Sequence, residues 1–334
     1  MTNSVYPWQS KQWSQLTLAH DSNRLAHALF LVGQAGLGIE QFAYTFATKL
    51  LCREPVKNLA CGQCKSCTLA KVGNHPDIIR IVPEGLGKQI RVDDIRELIS
   101  SIQLSSASGL YKIAIIDPAD AMNKSSANAL LKILEEPPGD AIFFLISSRP
   151  ANLPITIRSR CNRVNFTKTF DEDAISWLMD RTNLAHDKAE ELLVMAQGQP
   201  ILAEELSSSD IMTNWNSILE DLSSLIQEKI DVIKLAKKWQ DYGAADVLQW
   251  ILAGFSTMAH LKLTNNTDKN SNIALNRNLQ QLANVLDLRQ IVDCYDIVFR
   301  NYRAVTGPYN LNKQGLLEEV IINFQSTCNP SGRV

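Results

Sequence analysis

Apolar residues recur along the first half of this chain in two alternating rhythms. Short unbroken runs at Ala28–Val32, Asp77–Val82, Lys112–Ile116 and Ala141–Ser147 read as buried strands. Between and before them, apolar residues spaced three and four apart predict amphipathic helices over Trp8–His20, Ile39–Leu51, Val92–Leu104 and Ser125–Glu136. Asp93 and Asp94 suit the N-terminus of the third, and Pro137-Pro138 closes the fourth. Strands that alternate with helices predict an α/β domain built on a parallel sheet covered on both faces.

Beyond Phe166 the strand signal disappears and helical spacing continues to the end. Asp171–Gln197 contains two helical stretches that stop near Gly198-Gln199-Pro200, a segment of the size of a lid. Ser207-Ser208-Ser209 reads as a linker, polar Thr264–Asn272 as a loop, and Leu311–Phe324 as the last amphipathic helix. The expected division is an α/β domain at 1–166, a helical lid at 167–207 and an all-helical domain at 208–334.

Composition narrows the class. With 334 residues, 45% hydrophobic and 20% charged, the chain is an ordinary globular one with length for two or three domains. A net charge of −2 does not match a protein dominated by non-specific DNA binding, which carries a strong basic excess. No apolar stretch approaches the ~20 residues of a membrane span, and the first ten residues lack the pattern of a secretory signal. Seven cysteines, an odd number, point to a reducing cytoplasm rather than a disulfide framework.

The first candidate site follows the first strand. Gly33-Gln34-Ala35-Gly36-Leu37-Gly38 has the glycine spacing of a phosphate-binding loop between a strand and a helix. The next two positions, where Lys would reach the phosphates and Ser or Thr would hold magnesium, are Ile39 and Glu40. A carboxylate at Glu40 would repel a phosphate oxygen ~4 Å away by roughly 4 kcal/mol at an effective dielectric of ~20. The loop therefore keeps the glycines Gly33, Gly36 and Gly38 and lacks the groups that bind nucleotide.

The second candidate is Cys52, Cys61, Cys64 and Cys67, spaced C-x8-C-x2-C-x2-C within a module at 52–75. Two successive C-x2-C steps around Gly62 suit a tight knuckle, and four thiolates form the closed tetrahedral site of a structural zinc ion. His75 is the alternative to Cys52 as the fourth ligand.

Several motifs then converge. Asn128-Ala129-Leu130-Leu131-Lys132 through Glu135-Glu136-Pro137-Pro138, the triplet Ser159-Arg160-Cys161, the four-cysteine insert and His75-Pro76-Asp77 together resemble the AAA+ clamp-loader subunits of the bacterial replicative DNA polymerase III, over the full length. The resemblance implies an AAA+ P-loop sheet carrying a zinc insert, a small helical lid and a C-terminal helical collar that assembles subunits into a ring. It also implies the partners: ATPase motor subunits of the gamma/tau type, a clamp-opening delta subunit, and the sliding clamp and primer-template DNA through the complex. The setting it implies is a cytoplasmic, nucleoid-associated hetero-oligomer.

Against that family, active members place Asp-Glu after the third strand, where this chain reads Asp117-Pro118, and proline is no base. They carry an Arg in a Gly-Ser-x-Arg lid motif, where this chain reads Gly198-Gln199-Pro200-Ile201. Ser147 or Ser148 stands at the position of a polar sensor. Arg160 is retained, and in the family this Arg acts as an arginine finger on a neighbour's ATP. The expectation is a subunit without ATPase activity, with no functional nucleotide site and zinc as its only cofactor, that completes another subunit's site. Two other readings stand beside it. One is a divergent but active ATPase subunit borrowing a cation such as Lys49 or Arg24. The other is a zinc-dependent nucleic-acid-binding protein, for which the insert offers no stacking aromatic residue.

Overall fold

The structure is a computed structural model describing residues 4–85, 88–207, 209–227, 230–263, 277–306 and 311–328. It divides into two compact units, Met1–Thr169 and Phe170–Val334. Thr264–Asn272, expected as a loop, lies outside the described residues, as does Ser208 of the expected linker.

In the first unit the elements run α1 (Ser10–Asp21), β1 (Ala28–Val32), α2 (Ile39–Leu50), α3 (Lys65–Lys71), β2 (Ile78–Ile81), α4 (Val92–Ile102), β3 (Lys112–Ile116), α5 (Lys124–Glu135), β4 (Ala141–Ser147), α6 (Ile155–Arg158) and β5 (Asn162–Asn165). The five strands form one sheet in the order β2-β3-β4-β1-β5, and every pairing is parallel. The unbroken apolar runs are explained by two-sided burial: all residues of β1 and β4 are buried. Alternate residues feed separate cores. Leu29 and Leu31 join Phe42, Phe46 and Trp13 on one face, while Ala28, Phe30 and Val32 join Leu98, Leu130 and Leu134 on the other.

The fifth strand was not expected. Of Asn162-Arg163-Val164-Asn165 only Val164 is buried, so its hydrophobic signal is a single residue. It pairs as an edge strand against β1, where polar side chains can stay in solvent. Because the sheet is parallel, the loops after β1, β3 and β4 all leave from the same edge. That edge is where open α/β sheets build sites.

The second unit is helical throughout its described residues: α7 (Glu172–Thr182), α8 (His186–Met195), α9 (Pro200–Glu205), α10 (Ser209–Gln227), α11 (Val232–Asp241), α12 (Ala244–Leu263), α13 (Arg277–Val285), α14 (Leu288–Val305) and α15 (Lys313–Cys328). The lid-sized segment thus holds a third short helix, α9, opened by Pro200 at its first position. Trp215, Trp239 and Phe255 are fully buried. Gly254 lies where a Cβ would come within 3.1 Å of the Trp215 ring and 3.2 Å of Leu279, so the missing side chain lets α12 approach both. Asp287 caps α14 by accepting the Gln290 N–H at 2.8 Å, while the Gln290 side-chain oxygen accepts the Asp287 N–H at 2.9 Å. No helix among the described residues is long and apolar enough to cross a membrane.

Candidate functional site

The phosphate-loop sequence does form a strand–turn–helix. After β1 the backbone makes a short turn over Ala35–Leu37 and passes through Gly38 at φ 73°, a left-handed conformation that glycine adopts without strain, into α2. Ile39, at the lysine position, is 3% exposed and belongs to the core cluster of Phe42 and Phe166. A Cβ on Gly33 would sit 2.8 Å from the Ile39 Cδ1 and 2.7 Å from the Phe166 carbonyl oxygen. Gly33 is therefore needed to seat Ile39, and the side chain that should point at phosphate points into the protein.

Several of the loop's own polar groups are also engaged. The Gly33 N–H donates to the Ser147 carbonyl at 3.2 Å, and the Leu37 and Gly38 N–H groups close turns onto Gln34 and Ala35. From the N-terminal segment, the buried Gln9 donates from Nε2 to the carbonyls of Leu37 at 2.7 Å and Gly38 at 3.0 Å. Trp8 adds a hydrogen bond to Leu37 at 3.1 Å. Sequence reasoning missed this clamp, since nothing local ties residues 8 and 9 to residue 37.

Glu40 forms an ion pair with Arg80 of β2. Arg80 also lies over the ring of Tyr44, 5.9 Å from its centroid. Nearby Asp117 directly follows β3, and its carboxyl is pushed up to about 6 by burial and by the negative charge of Glu40, with Arg80 pulling the other way. Pro118, which follows it, has no side-chain group that could act as a base. Asp120 accepts from the Ser147 hydroxyl at 2.5 Å and pairs with Arg149 at 3.4 Å. Ser147, a candidate sensor, is fully buried and ties three loops together through this bond, the Gly33 N–H and the Arg149 N–H. Lys49, considered as a replacement cation, is buried and donates to Thr17 Oγ1 at 3.1 Å, away from the loop. The residues present do not fit a bound magnesium–nucleotide.

Arg160 follows α6 and stays partly open, its side chain 36% exposed. Its Nε donates to Glu135 at 2.7 Å and its Nη1 to the Thr156 carbonyl at 2.8 Å. Glu135 ends α5, whose N-terminus is capped by Asn123 accepting from the Ser126 N–H at 2.9 Å. The two sequence motifs thus meet in space. Of the neighbouring arginines, Arg158 has its Nε buried, and the exposed Arg163 donates from its Nε to Asn165 at 2.7 Å.

In the cysteine module, Lys57 and Asn58 have φ of 48° and 63° and form the two-residue turn of a small hairpin, with Val56 and Leu59 exchanging both hydrogen bonds. The chain then folds back at Gly62, and α3 starts immediately after Cys64, which places Cys67 one turn along. The sulfurs of Cys52, Cys61, Cys64 and Cys67 lie within 4.8 Å of one another, a group able to hold one metal ion. Cys61 and Cys67 are 3.8 Å apart, matching the ~3.8 Å edge of a tetrahedron with ~2.3 Å zinc–sulfur bonds. The backbone N–H groups of Gln63 and Cys64 bring the Cys61 thiol down to about 6, whereas burial pushes Cys67 up.

His75 is not part of this group. It accepts the Asp77 N–H at Nδ1 at 3.1 Å, which leaves Nε2 to donate to Ser66 at 3.1 Å. Asp77 is fully buried and accepts from the N–H groups of Ala107 at 2.9 Å and Ser108 at 2.8 Å and from the Ser106 hydroxyl at 3.1 Å. Burial alone would raise its pKa; these hydrogen bonds outweigh it and hold the carboxyl below the ordinary range. The His-Pro-Asp motif is therefore a structural splice between the cysteine module and the sheet.

Comparison with known proteins meets this geometry. The family model for DNA polymerase III, delta subunit, matches residues 8–170, and that for DNA polymerase III, delta subunit, C terminal, matches residues 209–326. The DNA polymerase III subunit delta' of Pseudomonas aeruginosa is 31% identical over 327 residues, covering 98% of this chain and 99% of the relative. The chain belongs to the DNA polymerase III delta-prime family. It is a clamp-loader subunit, as its motifs implied. The tau/gamma subunit of Haemophilus influenzae is 38% identical over 154 residues, 46% of this chain and 22% of the relative. A solved DNA polymerase III gamma subunit-related protein of Thermotoga maritima is 20% identical with a TM-score of 0.48, covering 95% of this chain and 99% of that one.

Proposed function

We propose that this delta-prime-family subunit hydrolyses no ATP itself and supplies Arg160 in trans to the ATP of a neighbouring motor subunit. The observation that carries this reading is the contrast between two sites on one domain. Ile39 is buried in the core and Glu40 is consumed by Arg80, while Arg160 is held at the surface by Glu135 and the Thr156 carbonyl. A guanidinium is permanently charged and matches phosphate oxygens, and fingers of this kind are worth roughly 10³ to 10⁵ in rate in well-studied GTPases.

In this reading the first domain spans 1–166, the lid 167–207 and the collar 208–334. The partners are motor subunits of the gamma/tau type and the delta subunit, with the sliding clamp and primed DNA reached through the assembled hetero-oligomer. Apolar surface on the helical unit supports assembly: α14 leaves Val292 45% and Phe299 41% exposed, and Tyr295 stacks on Phe299. The metal held by Cys52, Cys61, Cys64 and Cys67 is zinc in a structural role, since a closed four-thiolate site leaves no position for substrate.

Reconstitution with motor subunits tests the reading. Arg160→Ala is expected to leave folding and ring assembly intact and to lower DNA-stimulated ATP hydrolysis. An unchanged rate in a fully assembled ring rejects the finger assignment. ATP turnover by the isolated chain, abolished by Asp117→Asn, would reject the inactive site.

A further inference from the structure

The ion pair at the head of α2 does more than mark a lost site. In a working P-loop, magnesium sits between the hydroxyl at the position of Glu40 and the acidic residue at the strand end occupied here by Asp117. Arg80 reaches that same place from a third element. It shares with Ile78 the face of β2 turned toward α2, and it is level with Ile115, two residues before Asp117 on β3. Its guanidinium bonds Glu40 and rests on Tyr44, one helical turn further along α2. Its charge also favours the ionised form of Asp117, against the repulsion of Glu40. The other carboxylate nearby, Asp120, is already spent on Ser147 and Arg149.

We propose that Arg80 is a built-in substitute for the divalent cation, a tethered positive charge that joins α2, β2 and the end of β3 where a metal–nucleotide would otherwise join them. The inference rests on the reading that this chain hydrolyses no ATP, and it adds what replaces the ligand. An arginine stays charged at every working pH and does not leave when product leaves. The domain therefore keeps the closure of a filled P-loop through every cycle of its neighbours. Glu40 then has a use: it would repel phosphate, and here it anchors the internal cation.

The test uses Mn2+ binding to the full chain, followed by electron paramagnetic resonance, together with melting temperature with and without Mg2+. Wild type and Arg80→Lys, which keep a cation, are expected to ignore both ions. Arg80→Gln leaves Glu40 without its ion-pair partner and removes the positive charge that offsets Glu40 at Asp117. It is expected to bind Mn2+ about tenfold more tightly than wild type, a conservative share of the effect of removing one nearby unit charge, and to melt higher in Mg2+. Adding Glu40→Gln should abolish both gains. If Arg80→Gln folds only with Mg2+ supplied, the inference is supported; if it folds and binds Mn2+ no better than wild type, or stays unfolded in Mg2+, the inference falls. Nucleotide-dependent Mg2+ binding by wild type would instead overturn the inactive-site reading beneath it.

Discussion

Arg160 donates its Nε to the Glu135 carboxylate at 2.7 Å, so the residue proposed to act on a neighbour's ATP is held by the last residue of α5. The bond joins the Ser159-Arg160-Cys161 triplet to the helix of the Asn128-Ala129-Leu130-Leu131-Lys132 motif. Glu135 is then a positioning residue. Glu135→Gln is expected to leave assembly unchanged and to lower the ring's ATPase rate by less than Arg160→Ala does. In the Arg160→Ala background it should have no further effect, because the two act as one unit. An additive loss would show that Glu135 works through something else.

The cysteine module makes a second prediction. Purified chain should release one equivalent of zinc on denaturation, and cobalt substituted for it should show the visible bands of a tetrahedral thiolate site. Cys61→Ser or Cys67→Ser should lose the metal. Amide exchange should then rise across 52–75 and stay slow in β1, β3 and β4, whose other face packs against Leu98, Leu130 and Leu134. Thiolates must be deprotonated to bind, so metal retention should fall as the medium is acidified.

Asp77 predicts a stability loss with a definite pH sign. Replacing it by Ala strands the N–H groups of Ala107 and Ser108, at a cost of about 2–3 kcal/mol in denaturant unfolding. Its folded pKa is lowered, so its contribution is complete above the ordinary Asp value of about 3.9 and is lost as pH falls through the folded value. The gap between wild type and Asp77→Ala should be constant near neutrality and shrink below about pH 4.

Asp117 has the opposite sign. Its folded pKa of about 6 lies above the unfolded one, so its stabilising share is present at low pH and disappears as pH rises through about 6. Asp117→Asn is therefore expected to be more stable than wild type above pH 6, by about 1–3 kcal/mol. The advantage should vanish below about pH 4. Thermal unfolding across this range checks it; a stability advantage independent of pH would count against the assignment.

Restoring the missing loop chemistry should fail. Ile39→Lys combined with Glu40→Thr rebuilds the nucleotide-binding sequence, yet position 39 faces Gly33 and Phe166 in the core. The variant is expected to be destabilised by about 2 kcal/mol or more, through a buried amine and lost packing, and to bind no ATP in equilibrium dialysis. ATP binding by this variant would show that the lysine can turn outward.

Much of the architecture was legible because it depends on neighbours in sequence. Buried strands announce themselves as apolar runs, the strand–turn–helix at Gly33–Gly38 as a glycine spacing, and the thiol knuckle as two C-x2-C steps. The polar edge strand at 162–165 escaped, since its place comes from pairing with β1 rather than from its own composition. What only the tertiary structure decided were contacts between distant residues. It chose Cys52 over His75 beside the other three thiols, turned Ile39 inward, set Gln9 under the loop, gave Glu40 to Arg80 and bound Arg160 to Glu135. Side-chain type limits what chemistry a residue can do, whereas direction and partner follow from how separate elements pack; the periodicity of one segment carries no record of the segment lying against it.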